Sequence, residues 1–208
     1  MGVKIHYRGT LNEKKQIHSL VNEVKDIAKI MGWTYAALDE DWEKAPTAIL
    51  KSSADRGVHI DGNCSLKGIH FRTKTDTDPV WLYFNAKGTL SAPFQVALEA
   101  EEGYPMEKNW LSTSTQDAGI ETHIAIIKLF RYLKYKYIDN LEVMDNTRYW
   151  EHDDKQKLEL RFGQVGNMMN QVDQALTNID PSILDNPELI DKMIEDLINE
   201  LGEEEEAE

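Results

Sequence analysis

One cysteine, Cys64, stands in the 208 residues, so no disulfide can close within the chain and a reducing compartment is the expected setting. No run approaches the roughly eighteen consecutive apolar residues that a membrane-spanning helix requires. The first residues, MGVKIHYRGTLNEKK, hold no apolar stretch of the export-signal type, and His6 stands where a myristoylation signal would carry Ser or Thr. The expectation is a cytoplasmic protein without a membrane anchor. Also missing are the phosphate-binding P-loop, a G-x-G-x-x-G after a strand, the G-x-S-x-G elbow, H-E-x-x-H, a paired C-x-x-C and an EF-hand loop. Any chemistry has to come from residues scattered along the sequence.

Hydrophobic residues make up 41% and charged residues 29% of the chain, which places it with globular proteins and away from disordered ones. The net charge of −14 is concentrated at one end. Residues 179–208 hold twelve acids and one base, Lys192, and so carry −11, leaving −3 for the first 178 residues. An acidic chain of pI about 4.9 is a poor partner for nucleic acid. That argument applies to the terminal segment and hardly to the preceding body.

Alternation of Val3, Ile5 and Tyr7 with Lys4, His6 and Arg8 predicts a first strand over 3–8. Asn12 is the expected N-cap of a helix over 12–31, which has Ile17, Leu20, Val21, Val24, Ile27, Ala28 and Met31 at three- and four-residue spacing and Gly32 at its C-cap. Trp33–Leu38 has the character of a short strand. GVHID, LKGIHFRT and PVWLYFNA then predict two adjacent antiparallel hairpins. Residues 89–117, with Pro93, Gly103 and Pro105, are expected to be a long surface loop with one strand near Phe94–Leu98. A central buried helix follows over 118–136, then a strand over 141–145, then a helix over 154–177 capped by Asp153 or Asp154. Asn186-Pro187-Glu188 opens a last helix, 187–201, ahead of the acidic EEEEAE tail. The expected fold is α+β. It comprises an antiparallel sheet of about four to six strands with helices on one face, a single domain over 1–178, and an acidic helical arm with a disordered tail over 179–208.

Side chains alternate across a strand. If Val3, Ile5, Tyr7, Val58, Ile60, Ile69, Phe71, Val80, Leu82 and Phe84 face the helices, the opposite face carries Lys4, His6, Arg8, His59, Asp61, His70, Arg72, Trp81 and Tyr83. Two functions suit that face. Lys4, Arg8 and Arg72 could meet an anionic ligand while Trp81 and Tyr83 stack on it. Alternatively, His6, His59, His70 and Asp61 could hold a divalent metal such as zinc, which would make a metal-dependent hydrolase of the protein. The same pattern also describes the wet side of an ordinary antiparallel sheet.

A second cluster runs from Asp145 to Asp154, with Glu121 and His123 upstream. It offers a metal site or a general acid–base pair, or simply a helix cap, an exposed turn and two aromatic anchors. Cys64, flanked by turn residues, is expected to be an ordinary hairpin residue with no activating partner. The acidic arm, with its Leu/Ile/Met stripe, would dock on a protein partner or on a second copy of the chain. The leading expectation is a non-enzymatic binding or regulatory module acting through protein contacts or an anionic ligand, ahead of a metal enzyme and a structural homo-oligomer.

Overall fold

The computed structural model describes residues 2–53, 55, 57–102 and 110–177. The expected last helix and acidic arm lie outside the described residues. Among the described residues eight strands form three small antiparallel sheets alongside helices, so the α+β class holds. Residues 2–158 form one compact unit, and among the described residues 159–177 belong to a second. No described helix is long and apolar enough to cross a membrane.

In the first sheet β1 (Lys4–Arg8) is central, flanked by β7 (Leu111–Ser114) and β8 (Glu142–Asp145). Its alternation is as the sequence predicts: Val3, Ile5 and Tyr7 are fully buried, and Lys4, His6 and Arg8 look outward. The central helix α3 (Ile120–Lys136) covers the buried face, where the Tyr7 and Phe130 rings lie 4.7 Å apart. The second sheet has the order β2 (Thr34–Asp39), β5 (Lys67–Arg72), β6 (Val80–Phe84). Helix α1 (Ile17–Met31) lies against β2 and β5, and Trp33, just past its C-terminus, stacks on Phe71 at 4.8 Å. Gly32 ends α1 in the left-handed conformation, φ 69°, as its position in the sequence predicts. Gly68 on β5 has φ +146°, and a Cβ there would collide with the Leu82 carbonyl of β6, so only glycine lets the two strands approach.

Tyr7 joins the two sheets. Its hydroxyl accepts a hydrogen bond from Trp81 N at 2.8 Å and donates one to Trp81 O at 3.0 Å, completing the backbone bonding of β6 from a side chain. Burial raises its pKa above the ordinary tyrosine range, so the proton it donates is retained.

Several local expectations are corrected. Asn12 does not cap the first helix. Its Oδ1 accepts from Asp139 N at 2.9 Å, and the segment enters α1 through a 3-10 turn, Lys14–Gln16. GVHID, now β4 (Gly57–Asp61), does not pair with β5. It pairs with β3 (Ile49–Ser53), a strand that the sequence pattern does not announce. This two-stranded ribbon has no full core face, so Val58, expected inside, is 69% exposed, while Leu50 and Ile60 are half-buried. Residues 89–117 are no plain loop: they contain helix α2 (Pro93–Glu102) and strand β7. Pro93 opens α2, and Gln95 Oε1 reaches back to Ala92 N at 3.0 Å in capping-box fashion.

The β3–β4 ribbon and α2 cover part of the β2–β5–β6 face opposite α1. There Ala48, Cys64, Leu66, Tyr83, Val96 and Ala97 form a second small core against Leu38, Leu50, Ile60 and Trp81. Near the C-terminus of the first unit, the single turn α4 (Tyr149–His152) precedes α5 (Lys155–Thr177). Asp154 caps α5, its Oδ1 accepting from Gln156 N and Lys157 N, both at 3.1 Å.

Candidate functional site

The residues expected to share one sheet face are distributed over three sheets. Lys4, His6 and Arg8 lie on β1, His59 and Asp61 on β4, and His70, Arg72, Trp81 and Tyr83 on β5 and β6. Among the described residues, no group of three or more His, Cys, Asp or Glu side chains is arranged to hold a metal ion. Asp61 pairs with Lys51, and His59 Nδ1 lies 3.2 Å from Gly57 O. Arg8 donates to Glu142 at 2.7 Å and lies 4.5 Å over the Trp110 ring. Arg72 donates to the Thr77 carbonyl and so holds the turn between β5 and β6. Only His70, Trp81 and Tyr83 form a tight aromatic group, with ring centroids 4.8 to 5.7 Å apart. Tyr83 is 4% exposed, its face taken up by the second core. Burial and then the charge of Glu40 push its hydroxyl up to about 12, while burial and then Arg72 hold His70 below the ordinary histidine value. The Tyr83 hydroxyl and His70 Nδ1 share a hydrogen bond of 2.6 Å.

The second predicted cluster does bring an imidazole and a carboxylate together, in the interior. His123 Nε2 lies 3.2 Å from Asp145 Oδ2, and His123 Nδ1 lies 2.8 Å from Thr115 Oγ1. Asp145 also accepts from Thr147 N at 2.9 Å, Thr147 Oγ1 at 2.8 Å and Trp150 N at 3.1 Å. Burial raises its pKa, but the His123 hydrogen bond and charge and the Thr147 donors outweigh burial and hold the carboxyl below its ordinary value. An ionised Asp145 can only accept, so Nε2 carries the proton shared between them. The order hydroxyl–imidazole–carboxylate matches a nucleophilic triad. Yet Thr115 and His123 are 0% exposed and Asp145 3%, so no substrate meets them. The network instead ties β7, α3, β8 and α4 together. Three further acids of that cluster are paired: Asp153 with Arg131 at 2.9 Å, Glu121 with Lys155 at 2.6 Å and Asp154 with Lys157 at 3.6 Å.

A site that sequence reasoning missed lies beside the second core. A cleft of about 520 Å³ opens between the loop 42–46, the Cys64–Ser65 turn, the segment Asn85–Ser91 and α2, within the size range of small-ligand sites. Trp42, Pro46, Cys64 and Val96 form its apolar surface, and Ser65, Asn85 and Ser91 its neutral polar one. The loop that walls it is anchored from end to end. Glu40 N donates to Leu66 O at 3.0 Å, and Leu66 N to Glu40 Oε2 at 2.9 Å. Trp42 Nε1 donates to Phe84 O at 3.0 Å, and Thr47 N to Asn63 O at 2.7 Å. Ser65 Oγ donates to the Lys44 carbonyl. Ser65 is itself in the left-handed region, φ 53°, held there by Asn63, whose Oδ1 accepts from Ser65 N at 2.9 Å. Such strain in a residue other than glycine persists where the surroundings enforce it, and it collects at binding sites. Cys64 lines the cleft as a thiol: burial and then Glu40 push it up to about 11, far from a nucleophilic thiolate at neutral pH.

Nothing in the sequence pointed to this cleft, because its lining comes from four separated segments that no periodicity connects. The nearest signal was Ala92-Pro93-Phe94-Gln95, a helix start that would have placed Val96 and Glu99 on an element facing the 40–48 loop. No protein-family model matches the chain, and neither a curated protein nor a solved structure does.

Proposed function

We propose that this protein is a non-catalytic binding module whose ligand occupies the cleft beside Trp42, Cys64, Ser65 and α2. The observation that carries the reading is the pre-formed wall. The 40–48 loop is fastened to the segment Asn63–Leu66 and to Phe84 of β6 by a series of hydrogen bonds, so little ordering has to accompany binding. Its single thiol, Cys64, is pushed up to about 11, which favours binding over nucleophilic chemistry at that sulfur. The alternative of an anionic ligand on the sheet face finds less support. Arg8 is engaged by Glu142, Arg72 by Thr77 O, and Tyr83 is buried.

A thermal-shift screen of small polar–apolar compounds tests the proposal, run in parallel on the full-length protein and on Ala45→Trp. Ala45 is exposed at the cleft, so the indole obstructs binding without entering the core. A ligand at a hundredfold excess over its Kd adds about 2.7 kcal/mol to stability. Hits should raise the melting temperature of the natural protein and leave Ala45→Trp unmoved. Equal shifts in both proteins would place binding elsewhere.

A further inference from the structure

Resting on the cleft as the binding site, we infer that its ligand is a short zwitterionic peptide, a di- or tripeptide with apolar side chains and free ends. The charges on the rim come from three elements: Glu43 and Lys44 on the loop, Lys87 on the turn after β6 and Glu99 on α2. Lys44 is already engaged with Asp41 at 3.8 Å. Among the described residues, Glu43, Lys87 and Glu99 carry no ion pair and project into solvent at the rim. Two carboxylates and one ammonium on different walls complement a ligand carrying both signs of charge at separate positions. A simple anion or a simple cation would meet repulsion from one of them.

The floor is complementary to a peptide group. Ser65 Oγ donates to Lys44 O and accepts from Asn63 Nδ2 at 3.2 Å, leaving one acceptor lone pair. Ser91 Oγ donates to Thr89 O at 3.2 Å and accepts from Asn85 Nδ2 at 3.3 Å, leaving another. Asn85 Oδ1 is filled by Lys87 N at 3.0 Å and Thr89 N at 3.1 Å, but its Nδ2 keeps a second N–H. The donor on half-buried Asn85 matches a peptide C=O, with Ser65 and Ser91, 4% and 1% exposed, shaping the floor beneath it, and Trp42, Pro46 and Val96 match apolar side chains. At protein packing density a cleft of about 520 Å³ is too large for one free amino acid and suits two or three linked ones.

The test titrates the full-length protein with dileucine, N-acetyl-dileucine and dileucine amide, following backbone amides of Ser65, Asn85, Ser91 and Val96 by NMR. Each cap removes one charge, and losing a charge-assisted contact should weaken binding by about tenfold or more. Lys87→Ala should abolish the preference for the free peptide over its amide and keep the preference over the acetyl form. Glu43→Gln combined with Glu99→Gln should do the reverse. All three residues are exposed, so the variants keep the fold. Capped peptides binding as tightly as the free one, or no response to any of the three, would overturn the inference. If screening hits still act in the natural protein and fail in Ala45→Trp, the cleft stands and only the ligand class falls. If those hits fail to discriminate as well, the cleft reading falls with it.

Discussion

Replacing Asp145 by Asn changes one atom in a buried network and has a calculable cost. The carboxylate accepts from His123 Nε2, Thr147 N, Thr147 Oγ1 and Trp150 N. The isosteric amide keeps an oxygen for Thr147 but sets an NH2 against the Trp150 and His123 N–H groups, donor against donor. His123 can change tautomer to accept, but its other nitrogen must then donate to Thr115, whose own proton is left the 3.4 Å contact with Val3 O. Trp150 N–H finds no replacement. One buried orphan donor and one lost charge-assisted bond together cost about 2–4 kcal/mol, against total stabilities of about 5–15 kcal/mol for ordinary domains. Urea unfolding followed by circular dichroism at pH 7 measures the difference directly. The sign of its pH dependence follows from the Asp145 shift. Its folded pKa lies below the ordinary 3.8, so its stabilisation is present above about pH 4 and is lost as pH falls through the folded value. The gap between natural protein and variant should therefore hold from pH 7 to about pH 4 and shrink on further acidification. A loss under about 1 kcal/mol, or a gap that widens below pH 4, would refute this account of the network.

Tyr7→Phe leaves the Trp81 N–H and C=O buried without their partner and should cost about 2–4 kcal/mol in the same unfolding assay, with the Phe130 packing intact. Gly68→Ala, forced into φ +146° against the Leu82 carbonyl, should cost more than about 3 kcal/mol or prevent folding, as soluble yield and denaturation midpoint would reveal. Cys64, buried and raised to about 11, should resist iodoacetamide at pH 7.5 in the native protein and react within minutes in urea, as mass spectrometry would record.

How far the fold could be read in advance depended on how completely each element was buried. Val3, Ile5 and Tyr7 alternate on a strand with one fully covered face, and α3 is apolar around much of its circumference, so both were legible. β4 misled because it belongs to a two-stranded ribbon with no continuous core face, which leaves Val58 in solvent. The helix α2 was hidden by reading Pro93 as a breaker when it stands at the first helical position, where proline is favoured. The clustering of imidazoles failed for a different reason. Strand parity gives the face of a residue but not its sheet, and His6, His59 and His70 lie in three. His123 and Asp145 were visible as candidate partners, whereas their burial depends on α3 and β8 packing together, which local sequence does not encode.

The most direct test of the cleft is an amide chemical-shift map of the isotopically labelled full-length protein, titrated with the strongest hit from the thermal-shift screen. The account predicts saturable shifts centred on Ser65, Asn85, Ser91 and Val96, absent in Ala45→Trp. Shifts centred instead on Lys4, His6 and Arg8 of β1 would contradict it and return the binding site to the outer face of the first sheet.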